Sequence, residues 1–259
     1  MEKDNKGIWV EEFTISHHYV NPKGLASLHG ISYFLMEGAI GHAAYRSLGY
    51  EEMSRKNQSW VLTRQGIIIH KHLRLGDEIR LETWVHLTTE SFSVRDFHII
   101  DTEGDIAIEA RTSWMIMDLT SRRPVRIDRE GIERLPHHYD RLNTPIDLVK
   151  IPELENQENE HTFRVVYSDL DMNQHVNNIS YVRWFMDRFE WQFHKEHLLE
   201  YFTINYIAEA LFGDALTIIL EQSKEDDNVY LLKIVRLSDN KEIARCLTKW
   251  KQSKITLFK

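Results

Sequence analysis

The chain contains a single cysteine in 259 residues, Cys246. One cysteine excludes an intrachain disulfide and a cysteine-built zinc site. It stands in EIARCLTKW, a strand-like run in which a lone thiol reads as a small buried hydrophobe. No stretch of about 18 apolar residues occurs, so no segment is a candidate membrane-spanning helix. The N-terminal MEKDNKGIWVEEF has neither the basic start nor the apolar block of a signal peptide, and the expectation is a cytoplasmic protein. A basic surplus is missing too: 32 Lys and Arg stand against 40 Asp and Glu, a net charge of −8. That balance argues against nonspecific nucleic-acid binding. Low-complexity segments and coiled-coil heptads are also missing.

What is there is 42% hydrophobic and 28% charged, the make-up of a globular protein with room for a real core. It is also repetitive. Tyr19 to Tyr33, YVNPKGLASLHGISY, aligns with Tyr167 to Tyr181, YSDLDMNQHVNNISY, at an offset of 167 − 19 = 148. Gly76-Asp77 before EIRLETW returns as Gly213-Asp214 before ALTIILE (213 − 76 = 137), and Trp114 closes a strand as Trp250 does (250 − 114 = 136). So long a period suggests duplication. The first half then carries about eleven extra residues, placed between Gly49 and Trp60.

Each half reads as one strand, one helix, then several strands. Ile31 to Ser47 is apolar or small nearly all round (Phe34, Leu35, Gly38, Ala39, Ala43, Ala44), the pattern of a buried helix that Gly49 ends. In the second half Ile179, Val182, Phe185, Met186, Phe189 and Phe193 fall at helical spacings. Ile79, Leu81, Thr83 and Val85 alternate with Arg80, Glu82 and His86, which predicts a half-buried antiparallel strand. Similar runs are Ser91 to Ile100, Ile106 to Met117, Leu216 to Glu221, Val229 to Leu237 and Glu242 to Lys251. The composition is that of an α+β protein. The halves are set at residues 1–148 and 162–259 with a linker at 149–161, and the connecting region holds Pro136, Pro145, Pro152 and the acidic run ELENQENE.

The chemistry-bearing stretch is Tyr167 to Phe189, YSDLDMNQHVNNISYVRWFMDRF. On an extended backbone Asp171, Asn173 and His175 share one face. Asn177 and Asn178 then cap a helix whose free N–H groups and dipole can hold a developing oxyanion, the requirement of acyl transfer. This D-x-N-x-H-x-N-N pattern before an aromatic-rich helix resembles the active-site segment of the acyl-ACP thioesterase family, and further matches in chain order extend the resemblance over most of the sequence. The resemblance implies a tandem (double) hotdog fold, each half an antiparallel sheet wrapped around a central helix. It also implies hydrolysis of fatty acyl-ACP to free fatty acid and carrier protein, without a cofactor.

The fourth member implied by the family is Glu209, in YIAEALFGD. The family commonly has Cys after this Glu; here Ala210 follows, so a thiol nucleophile is excluded at that position. Water attack remains. Glu209 is the expected general base, with His175 and Asn173 positioning water or the carbonyl and Asp171 orienting them. A thiol of pKa about 8.5 leaves as thiolate without a dedicated acid. At the 148 and 137 offsets the first half has Lys23, Leu25, Ser27 and His72 instead, so one active site per chain is expected, in the second half, with the first half binding the acyl chain.

Rival readings stay open at this level. The same site suits an acyl-CoA thioesterase, or a hotdog domain that binds acyl thioesters without cleaving them. Glu37 resembles the helix carboxylate of some acyl-CoA hotdog thioesterases, or else it pairs with His42 or an arginine. Asn is a poor zinc ligand and the fourteen histidines are scattered, with pairs only at His17-His18 and His137-His138, so no metal is expected. Arg122, Arg123, Arg126 and Arg129, with Lys71 and Arg74, form basic clusters for an acidic carrier protein or coenzyme A phosphates, or a solvated loop. Met36, Gly38 and Gly41 are expected to shape an acyl tunnel. A monomer or a homodimer fits two fused halves.

Overall fold

The structure, a computed structural model, describes residues 4–5, 7–128, 133, 144–155 and 160–253. They fall into two units: Met1–Val20 with Leu25–Leu148, and Asn21–Gly24 with Val149–Lys259. No described helix is long and apolar enough to cross a membrane.

Unit 1 contains β1 (Asp4–Asn5), β2 (Ile8–Thr14), α1 (Leu28–Tyr45), α2 (Tyr50–Arg55), β3 (Gln58–Ile69), β4 (Glu78–Thr88), β5 (Ser93–Ile100), β6 (Ile106–Asp118) and β7 (Pro124–Val125). Its strands run in the order β1-β2-β4-β5-β6-β3, with β7 on β6. Unit 2 contains β8 (Glu160–Arg164), α3 (Asn178–Asp187), α4 (Trp191–Glu196), β9 (His197–Tyr206), β10 (Ala215–Gln222), β11 (Val229–Arg236) and β12 (Lys241–Gln252), in the order β9-β12-β11-β10-β8. All these pairings are antiparallel. The class is α+β, and each unit is a sheet wrapped on a helix, the tandem hotdog that the resemblance implies.

The strands predicted from alternation are present as β4, β5, β6, β10, β11 and β12. On β4, Ile79, Leu81, Thr83 and Val85 are buried on the face toward α1: a Cβ at Gly38 of that helix would collide with Leu81 and meet Thr83. The opposite face is not simply solvated, because Glu82 and Trp84 are buried there as well. Residues 144–148 cover part of that face. Arg111 Nη1 donates to Ile146 O at 3.1 Å, Arg64 donates to Leu148 O, and a side chain at Gly66 would collide with Ile146. Beneath this cover Arg111 holds the buried Asp96 carboxylate through two hydrogen bonds of 2.6 and 2.8 Å.

Several boundaries differ from expectation. α1 begins three residues before Ile31, because the Ser27 hydroxyl accepts the Gly30 N–H and caps the first turn. It ends at Tyr45, and the left-handed residue is Ser47 (φ 56°). Gly49 instead permits close approach to Ala44, whose Cα would lie 2.8 Å from an added Cβ. One face of α1 is exposed at Tyr33 and Ile40, so this helix is not buried all round. The aromatic helix of the second half is two helices, broken before Trp191 where Glu190 turns extended. β3 and β9 escape the alternation rule: in WVLTRQGIII and HLLEYFTINY apolar and polar residues do not alternate cleanly, so a period of two does not reveal them.

The connector is pinned where it is described. Ile151 N–H donates to Asn205 Oδ1 at 2.9 Å, Arg245 donates to Ile151 O at 3.0 Å, and Glu155 N–H donates to Glu221 Oε2 at 2.7 Å. β8 starts at Glu160, inside the stretch expected as linker. Pro136 and the middle of the acidic run lie outside the described residues.

The internal repeat holds with a corrected register. The helix caps Ser27 and Asn177, the left-handed residues Gly24 and Gln174, and the bridges Val20–Ala26 and Leu170–Val176 all correspond at 177 − 27 = 150. The shared Ile-Ser-Tyr tripeptide that suggests 148 is a coincidence of composition inside two helices. Later elements keep the 137 offset, as in Gly76 and Gly213 (φ 89° and 84°), so the first half has 150 − 137 = 13 extra residues. Most are helical: α1 has 18 residues and α3 has 10, so the insertion lies chiefly before Gly49.

Two outcomes follow. Asp96→Ala leaves the half-buried Arg111 guanidinium without its carboxylate and is expected to cost about 1–3 kcal/mol in urea unfolding, whereas a surface change such as Glu51→Ala stays within about 0.5 kcal/mol. Cys246 is buried, and burial pushes its thiol well above the ordinary range. Native protein should therefore resist a disulfide-exchange reagent that labels the urea-unfolded chain at once.

Candidate active site

The expected site residues all belong to unit 2, and its loop from residue 167 to 178 is not the extended run that their alternation suggests. It closes on itself through the Leu170–Val176 bridge, with Gln174 left-handed at φ 64°. Asp171 makes the turn, as a short acidic side chain bonding its own following backbone does. Its Oδ1 accepts the N–H of Asn173 at 2.8 Å and of His175 at 3.2 Å, while its own N–H donates to His175 O at 2.8 Å. The carboxylate therefore shapes the backbone of the loop, and does not reach the side chains of Asn173 and His175 as expected from sequence.

The loop is then tied to the connection between β9 and β10 that carries Glu209. Val176 N–H donates to Ala210 O at 3.1 Å, and His175 bridges Leu211. The consequence is that His175 Nε2 and Glu209 Oε2 stand 3.6 Å apart, with the two side chains 28% and 42% exposed. Asn173 is exposed at the tip of the turn, and among the described residues no hydrogen bond joins its side chain to this pair.

The helix N-terminus behind the loop is also built from this segment. Asn177 is the N-cap, its Oδ1 accepting the Ile179 N–H at 2.9 Å. Asn177 N–H is already committed to Asp169 O at 2.9 Å, so of the two expected oxyanion donors it is spent. The N–H of Asn178, the first helical residue, has no intrahelical acceptor by geometry and remains the candidate.

Sequence reasoning missed three residues. Asp169 is buried, ion-paired with Arg183, and accepts the Val166 N–H at 2.8 Å; its backbone oxygen also takes the Ser180 hydroxyl at 3.0 Å. Tyr181 and Arg236 clamp the peptide that follows Glu209: Arg236 Nη1 donates to Glu209 O at 3.0 Å, and Ala210 N–H donates to the Tyr181 hydroxyl at 3.2 Å. Burial pushes the Tyr181 phenol up, so it is neutral at physiological pH. Arg236 is fixed by Asp239 at 2.8 and 3.0 Å and by Asp214 at 3.4 Å. Only the repeat could have found the turn part of this arrangement, since the Asp214 carboxylate accepts Leu211 N–H as Asp77 accepts Arg74 N–H in unit 1.

The corrected register also changes which residues stand opposite the set. Asn21, Lys23 and Leu25 of the first repeat, not Lys23, Leu25 and Ser27, match Asp171, Asn173 and His175, while His72 still matches Glu209 (209 − 72 = 137). Asn21 retains the turn, its Oδ1 accepting Lys23 N–H at 2.9 Å. Lys23 is buried in unit 2 and donates to His197 O at 2.9 Å, and burial lowers its pKa.

The rival residues have other surroundings. Glu37 does not pair with His42, which instead meets Arg95 at 3.0 Å. Burial and then the neighbouring Glu11 push the Glu37 carboxyl up. Of the basic clusters, Lys71 is held by Asp101 and Glu103 at 2.6 Å each and Arg126 by Glu90 at 3.1 Å, while Arg129 and the His137-His138 pair lie outside the described residues. Asp101, Glu103 and Asp105 form an acidic group, and the Lys71 ammonium already sits on two of its members.

Comparison with known proteins accounts for this architecture. A family model described as the acyl-ACP thioesterase N-terminal domain matches residues 8–135, and one described as the C-terminal domain matches residues 152–252. A chloroplastic palmitoyl-acyl carrier protein thioesterase of Gossypium hirsutum is 26% identical over 263 residues, covering 94% of this chain and 64% of that protein. A chloroplastic dodecanoyl-[acyl-carrier-protein] hydrolase of Cinnamomum camphora is 25% identical over 260 residues, covering 94% of this chain and 68% of that protein. The chain thus spans just under two thirds of the length of the cotton relative. Among solved structures, an acyl-ACP thioesterase from Bacteroides thetaiotaomicron superposes with a TM-score of 0.86 at 23% identity, covering 94% of this chain and 98% of that one. The 12:0-ACP thioesterase from Umbellularia californica superposes at 0.83 and 21% identity, covering 95% and 98%. With both domains of one family matched in order by its two halves, the chain belongs to the acyl-ACP thioesterase family.

Proposed function

We propose that the protein hydrolyses fatty acyl thioesters of acyl carrier protein to free fatty acid and carrier thiol, in the cytoplasm, with its active site in unit 2 and its acyl-binding role in unit 1. The observation that carries the reading is the His175–Glu209 pair at 3.6 Å beside the N-terminus of α3. The family membership and the names of the relatives support the carrier protein as the substrate's other half.

Glu209 accepts a proton from water, the water oxygen bonds to the thioester carbon, and the carbonyl oxygen takes the negative charge. The Asn178 N–H at the positive end of α3 stabilises that charge. Collapse breaks the C–S bond; the thiolate leaves and regains a proton from Glu209. His175, 3.6 Å from the base, positions water or carbonyl, and Asp171 holds the loop that presents it. With Ala210 next to the base there is no thiol to acylate, so water itself is the nucleophile.

Glu209→Gln and His175→Ala are expected to lower thiol release from acyl-ACP by about 10²–10⁴-fold, as removal of a general base or its partner does, with an unchanged melting temperature. Wild-type turnover in both would reject the assignment. Rates on one acyl group carried by acyl carrier protein and by coenzyme A decide the carrier, and a faster rate on coenzyme A would overturn that half of the proposal. Tyr181→Phe and Arg236→Lys test the clamp on the Glu209–Ala210 peptide: each should lower kcat by about tenfold with KM little changed, because a displacement of roughly 1 Å at the reacting groups costs rate more than binding.

A further inference from the structure

Tyr206, at the end of β9, stands where two parts of the candidate site meet. Phe202, Ile204 and Tyr206 alternate on one face of that strand, and the first two are fully buried. A phenol in such a row needs a partner, and the Tyr206 hydroxyl donates to Asn178 O at 3.2 Å, on the first residue of α3. Its ring packs edge-on against Tyr181, with centroids 5.7 Å apart and planes at 82°. Tyr181 in turn takes the Ala210 N–H on its own hydroxyl at 3.2 Å. Burial raises both phenols above their ordinary range, so both stay protonated at neutral pH. Two contacts in series thus run from Asn178, whose N–H is the candidate oxyanion donor, to the peptide that follows Glu209.

Unit 1 shows that the fold does not require this bridge. His70 and Lys71 N–H both donate to Ala107 O, at 2.9 and 3.1 Å, as Ile207 and Ala208 N–H both donate to Ile243 O, at 2.9 and 3.0 Å, which sets Tyr206 opposite Ile69 in the repeat. Tyr181 stands four residues after the cap Asn177, and Ile31 four residues after the cap Ser27. Ile31 and Ile69 are both buried. Two aliphatic side chains therefore fill in unit 1 the places that two phenols take in unit 2. An internal hydrogen bond replaces bonds to water and adds little net stability, so its distinctive effect is to fix a distance and a direction. What is fixed here belongs to the candidate chemistry. The Asn178 N–H has no intrahelical acceptor, while its carbonyl serves the Val182 N–H by helix geometry with one lone pair and the Tyr206 hydroxyl with the other.

We propose that Tyr206 is a positioning residue for hydrolysis: by gripping the Asn178 carbonyl and bracing the Tyr181 ring, it holds the oxyanion-binding N–H of α3 and the Glu209–Ala210 peptide at one fixed separation. It acts through Asn178 and Tyr181, not on the substrate. A donor held in place before reaction needs no reorganisation as the charge develops. The inference rests on the hydrolytic reading of unit 2 and adds to it the part that keeps donor and base in register.

Steady-state kinetics of Tyr206→Phe, Tyr206→Ile and Glu209→Gln on one acyl-ACP test it, together with the binding of two pantetheine analogues. One is a trifluoromethyl ketone, whose hydrate mimics the tetrahedral adduct; the other is a thioether that lacks the carbonyl. Tyr206→Phe loses one oxygen and keeps the ring, and should lower kcat about tenfold with KM changed by less than about twofold. Its affinity for the ketone should fall by about the same factor, while the thioether binds as it does to wild type. Tyr206→Ile, the side chain of unit 1, also removes the brace on Tyr181 and should lower kcat further, and both variants should melt close to wild type. Wild-type kcat in Tyr206→Phe beside an inactive Glu209→Gln would overturn the positioning role and leave the hydrolytic reading standing. Equal weakening of ketone and thioether, the mark of a general loosening, would overturn it too. Wild-type turnover in Glu209→Gln would reject the hydrolytic reading itself, and the positioning role with it. Should Tyr206→Ile fail to fold, Tyr206→Phe decides alone.

Discussion

A short piece of backbone pairing sets the geometry of the candidate site. Val176 N–H on Ala210 O, with the bridge from His175 to Leu211, ties a loop to the β9–β10 connection more than thirty residues later in the chain. This tie brings His175 and Glu209 to the same place. The clamp of Arg236 and Tyr181 on the Glu209–Ala210 peptide then fixes the carboxylate side, and the Asp171 turn fixes the imidazole side. Preorganisation of this kind lets an exposed pair hold one geometry without being buried.

Unit 1 keeps the tie and has different side chains on it. Ala26 N–H donates to Leu73 O at 2.8 Å and Leu25 bridges Arg74, so the scaffold of the site is repeated. Leu25 and His72 stand where unit 2 has His175 and Glu209, and no carboxylate–imidazole pair is possible at those positions. The difference between the two repeats at this place is thus carried by a few side chains on one shared hydrogen-bond skeleton. Asn21 shows how narrow the change is, because it still makes the turn that Asp171 makes.

The inner faces of the two sheets diverge in the opposite sense. In unit 2, Tyr230 joins Phe189, Phe193 and Trp250 in an aromatic cluster, and the shorter α3 followed by α4 brings two of those rings in. In unit 1, the eight additional residues of α1 carry His42 to the level of Arg95, and Gln65 bonds Ser32 on the same helix at 2.9 Å. Longer helix and polar row go together, because buried polar groups need partners and the added turns bring His42 to Arg95.

Much of this was legible in the residues. Alternation located six strands, since a sheet with one apolar face must repeat every two residues, and the D-x-N-x-H-x-N-N segment with Glu209 located the candidate site. Alternation did not reveal β3 and β9, whose apolar and polar residues do not alternate cleanly, and matching identical letters misplaced the repeat by two residues because hydrogen-bond geometry, not letter identity, aligns two loops. The sequence by itself determined the fold class and the duplication and marked four candidate site residues, since each of these is written in local pattern. Only the tertiary structure decided that Asp171 acts on backbone instead of side chains, that Asn177 N–H is spent, that Tyr181 and Arg236 hold the Glu209–Ala210 peptide, and that Arg95 is buried against His42 and Thr83. All four are facts about partners distant in the chain or about which atom of a residue is engaged, and no local periodicity encodes either.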